Sequence, residues 1–432
     1  MRKKIYICLL LLVASLVLSG CALRTVEELY CLPKRSQSEN DLQSVIDNAM
    51  KGLEYAAPQS GENRLVVQRA DLDGDEVEEY LLFAKDDSEK PLKILIFCKL
   101  ASGYVLMDTI EGYGFGFDFV AYEQMDDRPG VEIIVGRLVS EEVVRSVSVY
   151  RFSSGFSRHM LSTSYSRMSV ADLDEDGMSE LLLLNQSTSE TGRGTVTMYA
   201  YKDEELQQTA QLSVSTPATE YKQMDTSYTP DGKRAVYVTC AQGDALVTDV
   251  FGSKDGVFAM LATGLKSDAL NHNLVYPSDI DGDGVLELAR LVPMQKLEDK
   301  PQQYLVQWYC VDSAGVQIIK CHTYHSFADN WYMLWPEELC QKLLADRSKQ
   351  ECVFSVATET GEGKLPIVTI TALQDADREE LAKQPGRIVL YRGDSVIYVA
   401  DLHENAAFFG LTQDILIARF HLIRADLNTQ ED

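Results

Sequence analysis

Asp279-Ile280-Asp281-Gly282-Asp283-Gly284-Val285-Leu286-Glu287, DIDGDGVLE, places four carboxylates within nine residues. Like charges at this density repel unless a cation sits among them. Nearly the same string occurs as DLDGDEVEE from Asp71 and as DLDEDGMSE from Asp172. Two further segments, QMDDRPGVEIIVG from Gln124 and SYTPDGKRAVYV from Ser227, keep the same length with altered chemistry and lead into the same kind of apolar run. With the first residue of each as marker, the spacings are 53 (71 to 124), 48 (124 to 172), 55 (172 to 227) and 52 (227 to 279). Units of about 50 residues built from short strands point to a β-propeller or a similar array.

Within the first unit the strand signals are Glu79 to Ala84 (EYLLFA), Leu92 to Leu100 (LKILIFCKL), Tyr104 to Ile110 (YVLMDTI) and Asp118 to Tyr122 (DFVAY). Each is a short apolar or alternating run bounded by turn residues. Four strands per unit make one blade. Five loops predict about five blades, with the three intact loops on one rim because each holds the same place in its unit. Arg64 to Arg69 has no earlier blade to join, and the expectation is that it pairs with Gly315 to His322 and closes the ring.

Oxygen donors at positions 1, 3, 5 and 9 of a tight turn, with the position 7 carbonyl, can converge on one hard cation. Calcium accepts six to eight oxygens at about 2.4 Å in irregular cages, whereas magnesium asks for a regular octahedron. The candidate ligands are Asp71, Asp73, Asp75, Val77 and Glu79 in the first loop, and Asp172, Asp174, Asp176, Met178 and Glu180 in the third. In the fifth they are Asp279, Asp281, Asp283, Val285 and Glu287. Gly177 and Gly284 stand where the chain must turn sharply, and Glu76 takes that place in the first loop. An EF-hand would carry glutamate at position 12 ahead of a helix. Position 12 here is Leu82, Leu183 or Arg290, and strands follow.

The pattern D-x-D-x-D-G-x-x-E before a short apolar strand resembles the FG-GAP or VCBS-type repeat of bacterial surface proteins and integrin-like propellers, over about Arg64 to His322. The resemblance implies calcium cages that clip blade strands together rather than catalytic centres. Two units depart from it. The second carries Gln124, Asp126, Arg128 and Glu132, with Arg128 expected where the metal would sit. The fourth carries Ser227, Thr229, Asp231 and Ala235 and lacks the closing glutamate. Both are expected to be metal-free turns.

The N-terminus sets an expectation about location. MRKK precedes an apolar run from Ile5 to Leu18, and Leu18-Ser19-Gly20-Cys21 closes it with small residues. This order reads as a secretory signal, and LSGC resembles a bacterial lipobox with Cys21 as the lipidated residue. The expected location is the bacterial cell envelope, lipid-anchored and facing outside the cytoplasm. Forty Lys and Arg against 66 Asp and Glu leave a net charge of −26. Loss of Arg2, Lys3 and Lys4 with the signal makes it −29 (−26 − 3). So acidic a chain repels nucleic acid and anionic lipid and attracts cations. Beyond Cys8 and Cys21, the odd set Cys31, Cys98, Cys240, Cys310, Cys321, Cys340 and Cys352 is no disulfide framework and offers no C-x-x-C zinc site.

The expected organisation is mainly β: signal peptide 1–20, tether 21–39, N-terminal helix and linker 40–63, propeller 64–326, and a small α+β domain 327–432. The helix is expected over Asn40 to Ala56, with Leu42, Val45, Ile46, Met50 and Leu53 on one face. In the tail, helices are expected over Pro336 to Arg347, Ala376 to Gln384 and Leu411 to Ile423. The tryptophans Trp308, Trp331 and Trp335 read as core at the junction, and His322 and His325 as surface strand positions. No G-x-S-x-G, H-E-x-x-H or Walker loop is present. The leading reading is a calcium-stabilised, membrane-tethered module that binds an extracellular protein or glycan. A glycan-active hydrolase using the propeller funnel, or an accessory lipoprotein of an envelope sensor or transporter, are the other readings. Two carboxylates lining that funnel under aromatic residues would favour the hydrolase.

Overall fold

The computed structural model describes residues 37–139, 145–187, 189, 192–218, 220–358 and 363–423. The signal segment, Cys21 and Cys31 lie outside them. The described chain is mainly β and forms six antiparallel sheets.

The first five sheets follow the repeat, but the unit is offset from the sequence reading. Each acidic loop joins the first strand of a sheet to the second. Val67–Ala70 pairs with Glu79–Lys85 across the first loop, with Ala70 opposite Glu79. Gly116–Glu123, the expected fourth strand of the first unit, instead opens the second sheet opposite Glu132–Leu138. Arg167–Ala171 and Tyr221–Tyr228 open the third and fourth sheets. In the fifth the opening strand shrinks to a bridge between Ser278 and Glu287. The expected pairing of Arg64 to Arg69 with Gly315 to His322 does not occur. Gln317–Ser326 is already paired on both edges, by Tyr304–Val311 and Trp331–Trp335.

Side-chain alternation explains how the sheets stack. Strand residues point to opposite faces in turn, so a strand buried on both faces reads as a continuous apolar run. On Glu79–Lys85, Leu81 and Phe83 pack with Ile133 and Val135 of the second sheet. Ile134, from the other face of that strand, packs with Leu181 and Leu183 of the third. Leu182 and Leu184 then meet Val236 and Val238 of the fourth, and Ala235 and Tyr237 meet Leu288 and Tyr309 of the fifth. Chain order is therefore stacking order.

The two ends of this stack are capped. Leu82, Ala84, Leu95 and Phe97 on the outer face of the first sheet are covered by Leu42 and Ile46 of the helix Gln37–Ala49. That helix starts three residues earlier than expected and stops well before Ala56, where Gly52 adopts φ +83°. At the other end, Trp331, Met333 and Trp335 of the fifth sheet pack with Phe354, Val356 and Ile367 of the sixth. No apolar cluster among the described residues joins the first sheet to the fifth.

The tail is joined to the fifth sheet more closely than a boundary at 327 implies, because Trp331–Trp335 and Phe420–Leu422 are strands of that sheet. The expected helix Pro336 to Arg347 resolves into a single turn, Glu337–Cys340, and the strand Leu343–Arg347. Leu343 and Ala345 face the core, as strand alternation requires. The expected helix Leu411 to Ile423 shortens to Gln413–Arg419, capped by Thr412, whose hydroxyl accepts the Ile415 N–H at 3.4 Å. All six described cysteines are unpaired thiols.

His322 and His325 are buried, not exposed. Three residues apart, they face opposite sides of Gln317–Ser326, and both are covered because residues 322–326 are buried on both faces. His325 stacks on Tyr332 with ring centroids 5.2 Å apart, and its Nε2 lies 2.8 Å from the Thr323 hydroxyl. Its Nδ1 has no partner, and burial lowers its pKa to about 3. A histidine buried neutral makes folding compete with protonation of the unfolded chain, so its cost is absent above the unfolded pKa of about 6.5 and grows as pH falls towards the folded value. Acidification from pH 6.5 to 5 should therefore remove about 2 kcal/mol of stability that a His325→Leu variant does not lose. Parallel urea titrations of the two proteins at both pH values check this; equal losses would refute it.

Candidate metal centre

In each intact loop the position 1 aspartate organises the backbone. Asp71 accepts the N–H groups of Gly74 at 2.8 Å, Asp75 at 3.2 Å and Glu76 at 3.0 Å. Asp172 accepts those of Glu175 at 2.6 Å and Gly177 at 3.0 Å. Asp279 accepts those of Gly282 at 2.7 Å, Asp283 at 3.0 Å and Gly284 at 3.0 Å. Position 6 is left-handed throughout: Glu76 at φ 67°, Gly177 at 89° and Gly284 at 84°. Glycine takes this conformation without steric cost, and Glu76 holds it against that preference.

The closing glutamates reach back across the loop mouth. Glu79 accepts the Leu72 N–H at 3.0 Å, Glu180 that of Leu173 at 2.8 Å and Glu287 that of Ile280 at 3.0 Å. Loop width is thus set by a carboxylate–backbone bond. The second loop keeps the device, with Glu132 accepting the Met125 N–H at 2.8 Å. The fourth lacks the glutamate and tightens: Tyr228 pairs with Arg234, so only Thr229 to Lys233 turn. The expectation of equal length fails there for that reason.

Three groups of oxygen donors result, each with ligand atoms within 4.8 Å of one another and each able to hold a metal ion. They are Asp71, Asp73 and Glu79; Asp172, Asp174 and Glu180; and Asp279, Asp281 and Glu287. The position 5 aspartates fall outside these groups. Asp75, Asp176 and Asp283 instead accept the N–H groups of Val77 (2.8 Å), Met178 (2.8 Å) and Val285 (2.9 Å). Burial, with the neighbouring aspartates adding to it, pushes Glu79 and Glu180 up to about 7 and Glu287 up to about 8. The second oxygen of Glu287, Oε1, is buried without a partner. An all-oxygen set with a carboxylate atom left unsatisfied suits a hard cation.

Two protein cations escaped the sequence reading. In the second loop the buried Asp126 is ion-paired with Arg151, from the third strand of its sheet, and not with Arg128. Arg128 contributes its backbone N–H to Asp126 at 2.9 Å. In the fifth loop the ammonium of Lys320 is bonded to Asp283 and lies 3.6 Å from Asp281. It holds the Asp283 carboxyl below the usual range. Both cations come from neighbouring strands, 25 and 37 residues away, and no local motif marks them.

The five loops touch in chain order along one rim. A Cβ on Gly74 would sit 2.4 Å from Pro129 of the second loop, and one on Gly130 would sit 2.4 Å from the Leu72 carbonyl. Ser179, beside the closing Glu180 of the third loop, donates its N–H to the Gln124 carbonyl at 2.7 Å. Lys233 pairs with Glu175 at 2.6 Å, joining fourth and third. Ser227 donates to the Gly284 carbonyl at 3.2 Å, joining fourth and fifth.

No protein-family model and no curated protein matches the chain. Among solved structures, it is similar to the β-propeller domain of the Trilobed protease from Pyrococcus furiosus, at 13% identity and TM-score 0.29, over 70% of this chain and 94% of that one. It is similar to an exotype rhamnogalacturonan lyase at 10% identity and TM-score 0.34, over 68% of this chain and 63% of the lyase, less than two thirds of its length. A protein from Lactobacillus plantarum aligns at 9% identity and TM-score 0.29, over 72% of this chain and 85% of that one.

Proposed function

We propose that this chain is a lipid-anchored, extracytoplasmic binding module, built as a five-bladed propeller-type array whose intact acidic loops hold calcium as structural clips. The observation that carries the reading is the rim itself. Three oxygen cages alternate with one loop neutralised by Arg151 and one tight turn, and each loop touches the next. A cation in a cage would remove the repulsion among its carboxylates and stiffen the contact between adjacent sheets. In each cage the first and the closing carboxylate accept backbone N–H groups of their own loop, which supports a clip over a catalytic centre.

The hydrolase reading draws on Asp118 and Asp225, which line one cavity at the inner edge of the sheets beside Tyr165. Asp118, however, is bonded to the Tyr165 hydroxyl and lies 3.3 Å from Arg145 Nε, so it is committed within the protein. That supports binding over hydrolysis.

Calorimetric titration of the purified protein with calcium should show two sites at about 0.1–1 mM or tighter, the first and third loops, and a weaker one at the fifth, where Lys320 competes. Lys320→Met should strengthen the weak site by about tenfold, since an ammonium bonded to Asp283 and 3.6 Å from the ligand Asp281 no longer has to be displaced. Absence of saturable calcium binding, or equal binding of magnesium, would refute the metal assignment. Cys21→Ser should move the protein from the membrane to the soluble fraction; an unchanged distribution would refute the anchor.

A further inference from the structure

The crevice between the second and third sheets widens beside the second loop, which has no oxygen cage. A cavity of about 190 Å³ opens there, with Asp126, Arg151, Tyr201, Glu204 and Leu206 on its wall. One sheet further on, the matching crevice holds only about 20 Å³ beside the third cage, between Asp174, Glu180, Ser253, Gly256 and Phe258. Strand register makes the two places equivalent. Tyr201 opposes Leu206 as Ser253 opposes Phe258, and Glu204 stands where Gly256 stands.

The turn that carries Glu204 breaks a local rule. The outer hairpins of the second, third and fourth sheets turn on Ser154-Gly155, Asp203-Glu204 and Asp255-Gly256. The second position of each is left-handed, at φ 83°, 68° and 72°. Glycine takes that conformation freely, whereas a glutamate is held in it against its preference. Strain of this kind gathers at ligand sites.

The charges around the cavity are opposed but not joined. Arg128 and Arg158 come from the loop and outer strand of the second sheet, Glu204 and Glu205 from the outer hairpin of the third. All four are exposed, so a solute can reach them. Among the described residues none of these four side chains forms an ion pair, while Asp126 and Arg151 on the same wall neutralise each other. Two free cations therefore share one cavity with two free anions, beyond ion-pair distance of one another. That arrangement suits a solute carrying both signs. Met160, Tyr201 and Leu206 add an apolar surface beside them.

We propose that this crevice binds a small zwitterion of the amino-acid class. Its carboxylate lies on Arg128 and Arg158, whose guanidinium groups match two oxygens at once. Its ammonium lies on Glu204 and Glu205, and its side chain packs on Met160 and Leu206. A simple anion leaves the glutamates uncompensated, and a simple cation leaves the arginines so. The volume is below that of pockets for drug-sized ligands and suits one amino acid. The site stands apart from the calcium clips and gives the binding module a ligand of its own.

The test is calorimetry of the purified protein, with calcium present throughout, against leucine, isocaproate and isoamylamine. The last two keep the carbon skeleton of leucine and drop its ammonium or its carboxylate. Leucine should saturate one site, and each analogue should bind at least about tenfold more weakly. Arg158→Gln and Glu204→Gln, both at exposed positions, should each weaken leucine by about tenfold. Glu204→Gly should weaken leucine as much while raising the melting temperature, because glycine relieves the left-handed turn. A more stable protein that has lost its ligand is a result no fold defect can give. No saturable leucine binding, equal binding of either analogue, or unchanged leucine affinity in the Glu204 variants would overturn the proposal. Calcium binding is read independently on the same samples, so failure here leaves the metal assignment standing, and its failure leaves this one.

Discussion

Asp126→Ala is expected to destabilise the protein by about 3–5 kcal/mol, the largest effect of any loop substitution. Asp126 is fully buried and Arg151 is 8% exposed, and the two form an ion pair at the mouth of the second loop. Removing the carboxylate strands a guanidinium in a low-dielectric site, and Arg151 Nε already lacks a hydrogen-bond partner. It also removes the acceptor for the Arg128 N–H. The cost belongs to the uncompensated charge more than to the lost pair. Accordingly the double variant Asp126→Leu with Arg151→Met should regain most of the loss. Both should behave alike with calcium or chelator, because the second loop carries its own cation. Urea unfolding of the three proteins reads this directly. A loss below about 1 kcal/mol for the single variant would place the pair among ordinary surface bridges and refute the assignment.

Chelation at neutral pH is expected to lower stability by about 2–4 kcal/mol on the calcium reading proposed above. Each ion that binds only the folded chain contributes RT ln(1 + [L]/Kd), or about 1–2 kcal/mol at a few millimolar calcium with affinities near 0.1–1 mM. The first and third loops supply most of this, since no Lys or Arg side chain within ion-pair distance of Asp71, Asp73, Asp172 or Asp174 stands in for the metal among the described residues. The fifth loop contributes less, because Lys320 already offsets one of the two charges of Asp281 and Asp283. Asp172→Asn should remove one loop's share of the calcium response, whereas Asp281→Asn should remove less. Denaturant midpoints in calcium and in chelator decide the matter. An unchanged midpoint would make the carboxylates ordinary turns held by their backbone hydrogen bonds.

What the residues alone determined is local or periodic. The loop motif, its spacing and the apolar runs after it established a repeated, mainly β chain, because turn geometry and strand alternation are written within a few consecutive residues. The left-handed turn at position 6 was legible in Gly177 and Gly284, and it held even where Glu76 occupies it. The unit was read one strand out of phase, since DFVAY carries no mark of which neighbour it will pair with. Everything that required two distant segments to meet was decided by the tertiary structure. A helix rather than a closing strand covers Leu82 and Phe97, because apolar area is satisfied by any complementary apolar face. Arg151 rather than Arg128 neutralises Asp126, and Lys320 enters the fifth loop, because ion pairs follow spatial distance and not sequence distance. The burial of His322 and His325 turns on what covers the two faces of one strand end, residues 322–326, which lie against the strand Trp331–Trp335. The cations of the inner cavity lie on the 59–64 linker and the second and third sheets, with Lys222 on the fourth. Only the stacking of those sheets brings them to the wall of one cavity.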